Sequence, residues 1–386
     1  MALEDSPRIV THEFWPFRGG VASFCRDLAG GFVARGGTPT VHAPELAGGR
    51  EDQRFPFAVE RYRGSGRLTV GGLWAARRAW VSLLARDDRP IVLASYGAIT
   101  GAAFGPDDGG SRGVVAILHG SEVLKWRQNR WLGPRVKRLL KRCRAILTNS
   151  EFTRAGLMEC WPESMGWPSA VLPLAPGSTA MGEVRVRAKD ELGRVRILLL
   201  ARIHPRKGQV EFLRACGRLT PTVRKQVVVQ IAGTGREGDV ATVQRTAAEV
   251  GVATEFLGEV PDEELASVYA QCDLYALTPI TLGRSVEGFG LTFLEAGAHG
   301  KAVIGFRSGG VGEAVVDGKT GLLVDEGDLE GLAAGLERLV VDERLRESLG
   351  AEGRKRARSR SWEAVAAIVA EALAGTRGKQ VRVRGT

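Results

Sequence analysis

The sequence predicts an α/β protein made of two doubly wound, parallel-sheet domains. Three observations carry this reading. With 386 residues the chain has room for two domains of ordinary size. Its 44% of hydrophobic residues is enough to fill two cores. Short β-type runs alternate with helical runs, the pattern of a parallel sheet covered by crossover helices.

Taken in order, a first strand is expected over 8–11, and a helix over 21–35 places Val21, Phe24, Leu28 and Phe32 on one face. Further strands are expected over 38–43, 57–62, 90–95, 114–118, 145–149 and 171–173. Small residues between Pro176 and Val184 mark an interdomain linker, which sets domains of 1–178 and 179–360. The second domain opens on the unbroken apolar run 196–201 and continues with strands over 227–232, 254–258 and 302–306, with the run 275–279 leading to Glu287 and a further run over 321–324. Ser361 is a natural N-cap for a last helix within 361–375. The basic tail 376–386, with Arg377, Lys379, Arg382 and Arg384, reads as mobile.

Composition excludes several classes. No run of eighteen apolar residues is present, so no membrane-spanning helix is expected. The start, MALEDSPRIV, is acidic before it is apolar and does not read as a secretory signal. Five scattered cysteines without a Cys-x-x-Cys pair read as free thiols in a reducing cytoplasm. Five scattered histidines give no metal-ligand spacing. The net charge of +10 is concentrated: residues 123–144 hold nine basic residues and no acid, and 353–386 hold nine against Glu363 and Glu371. The rest of the chain is net negative. That favours local anionic contacts, and no nucleic-acid partner is expected.

The stretch EGFGLTFLE at 287–295 organises the second half. Gly288 and Gly290 flank Phe289 in a turn able to hug a ligand. A helix starting near Leu291 puts Glu295 in its first turn, where unpaired N–H groups favour negative charge. Glu287 lies on the loop before it. Carboxylates only accept hydrogen bonds, so the pair suits a ligand rich in hydroxyls. Arg202 and Lys207, after the run 196–201, suit a diphosphate as one planar fork and one point charge. Arg206 is assigned no role. Gly233 and Gly235 follow the strand 227–232. Gly19 and Gly20 follow the first strand, at the edge where such sheets bind ligands, and their N–H groups can approach a phosphate or sugar. His119 follows the strand 114–118 at the same edge. Each also has a plainer reading: a solvated glutamate, a basic loop, a tight turn, a packed histidine.

In this order the motifs resemble those of the retaining glycosyltransferases of family four, which have the GT-B fold. The resemblance is specific over 196–324 and weaker before Asn149. It implies two Rossmann-like domains facing a cleft, with an acceptor on the first and a nucleoside diphosphate sugar on the second. It implies that Glu295 binds the ribose hydroxyls, Glu287 contacts the donor sugar, and Gly288, Phe289, Gly290 and Leu291 line the donor. Arg202 and Lys207 would hold the diphosphate, and Gly233 and Gly235 would shape the nucleotide side. Gly19 and Gly20 would contact the diphosphate or sugar, and His119 the donor sugar near the reacting carbon. The last helix would cross back to the first domain.

The expected activity is transfer of a hexosyl group to an acceptor hydroxyl with retention, through an oxocarbenium-like state. Fixed cations would stabilise the leaving diphosphate, with no cofactor and no essential metal. The acceptor is not legible; a lipid-linked, a cell-envelope and a secondary-metabolite acceptor are all open. Within 123–144, Pro134 opens a helix with Leu132, Val136, Leu139, Leu140 and Cys143 on one face. Arg135, Lys137, Arg138, Lys141, Arg142 and Arg144 cover the rest, after Trp126 and Trp131. This is either an anchor to an anionic membrane surface, placing a cytoplasmic enzyme on the inner face of the cell membrane, or a helix packed on its own domain. Two rival functions are a catalytically inactive nucleotide-binding protein held to anionic membrane or nucleic acid, and a nicotinamide-dependent oxidoreductase. The missing G-x-G-x-x-G counts against the second.

Overall fold

The computed structural model describes residues 3–17, 19–45, 49–64, 69–107, 113–182, 184 and 192–375. The expected tail 376–386 and Glu183 of the expected linker lie outside the described residues. The chain divides into two compact units: Met1–Leu174 with Ser361–Thr386, and Ala175–Arg360.

Unit one is built on β1 (Arg8–Val10), β2 (Thr40–Pro44), β3 (Ala58–Tyr62), β4 (Ile91–Leu93), β5 (Val114–Leu118), β6 (Ala145–Thr148) and β7 (Ser169–Val171). They form one parallel sheet in the order β3-β2-β1-β4-β5-β6-β7. Ile9, Val92, Val115, Ile117 and Leu147 are fully buried. Strands covered on both faces read as continuous apolar runs, which made β5 legible residue for residue. β7 lies two residues earlier than the expected 171–173, because Ile146 and Leu172 bracket its pairing with β6.

Helices α1 (Gly20–Ala34), α2 (Val70–Leu84), α3 (Tyr96–Ala103), α4 (Ser121–Arg127) and α5 (Leu132–Arg142) cover this sheet. Only α1 and α5 were expected. α2 opens Val-Gly-Gly and α3 is short and rich in small residues, so neither shows a clean period. Their starts are set by side-chain caps: Thr69 Oγ1 accepts from Gly72 N at 3.2 Å, and Ser95 Oγ from Ala98 N at 3.4 Å. Ser95 therefore begins α3 and does not extend β4.

The basic segment is less free than its composition suggests. Trp126 is fully buried, stacked on Tyr96 at 5.4 Å and donating to Thr100 Oγ1 at 3.2 Å. Lys137 pairs with Glu163, Arg142 with Asp107 at 2.5 Å, and Arg144 donates to the Leu373 carbonyl. Arg138, Lys141 and Trp131 stand exposed.

The closing helix Trp362–Ala374 belongs to unit one and packs on α1. Ser361 Oγ caps it by accepting from Ala364 N at 3.1 Å. The Trp362 ring meets Phe24 edge-on at 5.5 Å, and Gly31 lies directly beneath the Trp362 carbonyl.

Unit two is built on β8 (Val195–Leu200), β9 (Val227–Ala232), β10 (Ala253–Gly258), β11 (Leu274–Leu277), β12 (Ala302–Arg307) and β13 (Gly321–Asp325). All pair in parallel, in the order β10-β9-β8-β11-β12-β13. Ile197, Leu199, Val229, Ile231, Ile304 and Phe306 form the centre of its core. All five cysteines are free and buried, and burial pushes the Cys25 thiol up to about 12. Among the described residues, no helix is long and apolar enough to cross a membrane.

Gly31 gives a test of the closing helix. A Cβ there would come within 2.2 Å of the Trp362 carbonyl oxygen. Gly31→Val is expected to destabilise the protein by about 1–3 kcal/mol through overpacking, read as a lowered urea midpoint. An unchanged midpoint would show that the helix does not seat on α1 at this point.

Candidate active site

The loops at the carboxyl ends of β8, β9, β11 and β12 meet at one edge of unit two, where ligands bind in open α/β sheets. After β8 the chain runs against the turn that follows β9. Ile203 N donates to Thr234 O at 2.8 Å, and Ile203 bridges Gly235. A Cβ on Gly233 would come within 2.1 Å of the Ala201 carbonyl oxygen, and one on Gly235 within 2.2 Å of that of Ile203. These two glycines are thus required by backbone packing between two loops.

A single 3₁₀ turn, Pro205–Lys207, follows, started by His204, whose Nδ1 accepts from Arg206 N at 3.1 Å. It delivers two cations to one carboxylate. Glu287 Oε2 accepts from Arg206 Nη1 at 2.9 Å and from Lys207 Nζ at 2.5 Å, and all three side chains are less than one-fifth exposed. Burial pushes the Glu287 carboxyl up, but Lys207 and Arg206 outweigh it and hold the group at about 2. Burial draws Lys207 below its ordinary value, and Glu287 opposes that shift. The Glu287 carbonyl accepts from Gly310 N at 2.9 Å, and Gly288, Phe289 and Gly290 are buried behind it. Arg202 differs: it is exposed and, among the described residues, in no ion pair. Arg206, which the sequence left without a role, is the second cation on Glu287.

The helix Leu291–Ala298 starts from Gly290, whose φ of 87° lies in the left-handed region that favours glycine. Leu291 is its first residue, so Glu295 falls in the second turn and not, as expected, in the first. Its charge is met by Tyr269, whose hydroxyl donates to Glu295 Oε2 at 2.6 Å. Tyr269 is wholly buried and stacks on His299 at 5.7 Å. Burial, then Glu295, raises its phenol well above the ordinary value, so it stays a donor. Tyr275, also buried, is raised by burial and further by both Glu295 and Glu287. Its hydroxyl donates to the Leu200 carbonyl at 3.3 Å. Neither tyrosine was anticipated; each sits in an ordinary apolar run, and only the fold brings it to a glutamate.

In unit one, Gly19 is the extended N-cap of α1 and Gly20 its first residue. A Cβ on Gly19 would meet the Phe17 ring at 2.8 Å, whereas one on Gly20 would meet open space. His119 follows β5 with Nε2 at 3.0 Å from the Ala94 carbonyl, so that nitrogen donates. Its ring lies edge-on to Phe24 at 4.8 Å, and its backbone N–H is capped by Glu122. His12, at the end of β1, was not anticipated; its Nδ1 lies 2.8 Å from Ser95 Oγ. Among the described residues, no group of three or more His, Cys, Asp and Glu is placed to hold a metal ion.

Residues 184–356 match the group 1 glycosyl transferases, and residues 18–164 match glycosyltransferase family 4. The chain is 31% identical over 391 residues to the GDP-mannose-dependent alpha-(1-6)-phosphatidylinositol monomannoside mannosyltransferase of Mycolicibacterium smegmatis, covering 96% of this chain and 98% of that enzyme. The chain belongs to glycosyltransferase family 4. It is a glycosyltransferase that uses a nucleotide-sugar donor. Its fold is shared with sucrose-phosphate synthase of Thermosynechococcus elongatus, at a TM-score of 0.76 and 20% identity over 94% of this chain and 96% of that one. Anabaena HepE, solved with UDP and glucose, aligns at a TM-score of 0.72 and 19% identity over 95% and 99%. The architecture is GT-B. No comparison supports an inactive nucleotide-binding protein.

The ion triad makes a pH prediction. Glu287 titrates at about 2 when folded against an ordinary 4.5, so its contribution is present above pH 4.5 and is lost as pH falls from there towards 2. The shift corresponds to about 3 kcal/mol. The urea midpoint of Glu287→Gln should lie well below the wild type at pH 6, and the gap should narrow steadily below pH 4.5. A gap independent of pH would mean Glu287 is not ionised against Lys207 and Arg206.

Proposed function

We propose that the chain is a retaining mannosyltransferase that takes mannose from GDP-mannose and delivers it to an inositol glycolipid at an anionic membrane surface. The observation that carries this reading is the alignment, over nearly both whole chains, with a mycobacterial enzyme whose name states that donor and that lipid. The donor would lie at the loop edge of unit two. Glu295, braced by Tyr269, would accept from the ribose hydroxyls, and Glu287 from the sugar. The turns at Gly233 and Gly235 and at Gly288, Phe289, Gly290 and Leu291 would shape that side. Gly20 at the start of α1 suits an anionic group of the donor, since its vacant Cβ position is not filled by protein. His119 would reach the sugar near the reacting carbon.

The chemistry follows from charge. As the sugar–phosphate bond breaks, negative charge grows on the diphosphate, and preorganised cations at that point lower the barrier most. Arg202 and Lys207 would supply them, so no essential metal is needed. Lys207 would exchange Glu287 for the diphosphate, which leaves Glu287 paired with Arg206 and turned to the sugar. The incoming hydroxyl would arrive on the face the phosphate leaves, which retains the anomeric configuration.

A thermal-shift panel of nucleoside diphosphates and their sugars tests the donor, because a bound ligand raises the melting point by mass action. GDP and GDP-mannose should raise it most; a shift confined to uridine nucleotides would overturn the reading. Glu295→Ala should weaken GDP binding about tenfold to a hundredfold, the worth of a charged hydrogen bond of about 1.5–3 kcal/mol. Tyr269→Phe should weaken it less and leave turnover at saturating donor near normal. Calorimetry checks both, and unchanged affinity in Glu295→Ala would remove it from the site. Arg202→Ala and Lys207→Ala should lower kcat more than donor affinity, since their charges matter most in the transition state. Normal kcat in both would remove the leaving-group role.

A further inference from the structure

α2 is amphipathic in an unusual sense. It buries Ala75, Ala76, Ala79, Trp80 and Leu83, yet it also turns large apolar side chains outward. Val70 is 74% exposed and Trp74 57%. A helix that only covers a sheet presents polar groups on that side. With Leu73, Arg77 and Phe104 at the end of α3, these residues line an apolar groove of about 270 Å³.

The groove has a cationic rim. Arg77 lies 5.3 Å from the Trp74 ring and donates to the Phe104 carbonyl at 2.9 Å. Arg135 of α5 lies 5.2 Å over the Phe104 ring and donates to the carbonyl of Trp131 at 2.7 Å. Trp131 is 78% exposed. Arg135, Arg138 and Arg142 line the next depression along, beside Gly105 and Asp107. α2 packs on α3 and α3 on α5, so groove and arginines form one continuous face. The acid in this depression, Asp107, is paired with Arg142.

We propose that this α2–α3–α5 face docks on an anionic lipid bilayer, with Val70, Trp74 and Phe104 entering the acyl boundary and Arg77, Arg135 and Arg138 meeting headgroup phosphates. It deepens the reading of a lipid-borne acceptor and rests on it only for its purpose. Indole rings and long arginine stems favour the membrane–water interface, where one end is dry and the other wet. The charge chooses the partner. A second copy meeting this face about a twofold axis would set arginines against arginines. A nucleic acid would use the arginines but leave Val70 in the groove without an apolar partner. A bilayer of anionic lipid satisfies both. The face does not draw on Lys137 or Arg144, which are engaged within the protein.

The test is co-sedimentation of the full chain with vesicles of phosphatidylcholine alone or with about one-third phosphatidylglycerol, at low and high salt. The wild type should bind the anionic vesicles, far less the neutral ones, and lose most but not all binding at high salt. Arg138→Ala should weaken low-salt binding about fivefold, the effect of one surface charge. Trp74→Ser should weaken binding about tenfold and abolish the salt-resistant part. Val70→Ser, at a more exposed position, serves as a second variant in case Trp74→Ser disturbs the fold, which circular dichroism would show. Wild-type binding by all three variants would overturn the proposal. So would equal binding to neutral vesicles, or light scattering that shows the wild type dimerising through Trp74 without lipid. Transfer from GDP-mannose to a deacylated, water-soluble acceptor separates the two readings. If transfer fails while vesicle binding holds, the acceptor reading falls alone; if transfer holds in every variant while vesicle binding is unaffected, the docking face falls alone.

Discussion

Burying a carboxylate without a counter-ion costs several kcal/mol, so Glu287 can be ionised in unit two only because Arg206 and Lys207 are delivered to the same oxygen. Much of the local architecture serves that meeting. The 3₁₀ turn Pro205–Lys207 presents both cations from consecutive positions. Gly208 allows the turn to press against the Thr278 carbonyl, where a Cβ would come within 1.7 Å. Gly309 lets the loop after β12 lie against the Glu287 carbonyl, and Gly310 N holds that carbonyl in place. The result is a cluster of two cations on one carboxylate, net positive by one charge. In the proposed function an arriving diphosphate would compete with Glu287 for Lys207 and would find Arg202 exposed at the same edge.

The sheets were legible because their physics is local. Runs such as Ile197–Leu198–Leu199 or Val227–Val228–Val229 can be covered only on both faces, which means a parallel strand. The Ser361 cap was legible for the same reason: it needs only its own next turn. The grouping of Arg206 and Lys207 with Glu287 depends on eighty residues of intervening fold, and sequence spacing pointed to the edge of the sheet without pointing to the ion triad.

What escaped the sequence was long-range or aperiodic. α2 and α3 carry glycines and alanines where a helical stripe would be read, and they are held by packing against each other. Trp126 looked like an interfacial residue by its basic neighbours, yet Tyr96 and Thr100 take it into the core. Glu295 looked like a helix-start charge, but counted from Leu291 it falls in the second turn, and its partner, Tyr269, lies on another helix. In each case a residue type was right for two environments, and only tertiary contact decided between them.

The loop edge of unit two is the proposed donor site, with the Glu287 triad opening to receive the diphosphate. A crystal structure of the protein with GDP tests this most directly. The account predicts diphosphate oxygens within hydrogen-bond distance of Arg202 and Lys207, ribose hydroxyls on Glu295 with Tyr269 still donating to it, and Glu287 retained by Arg206 alone. A nucleotide bound elsewhere, or bound at this edge with Lys207 still held by Glu287 and the ribose turned away from Glu295, would contradict it.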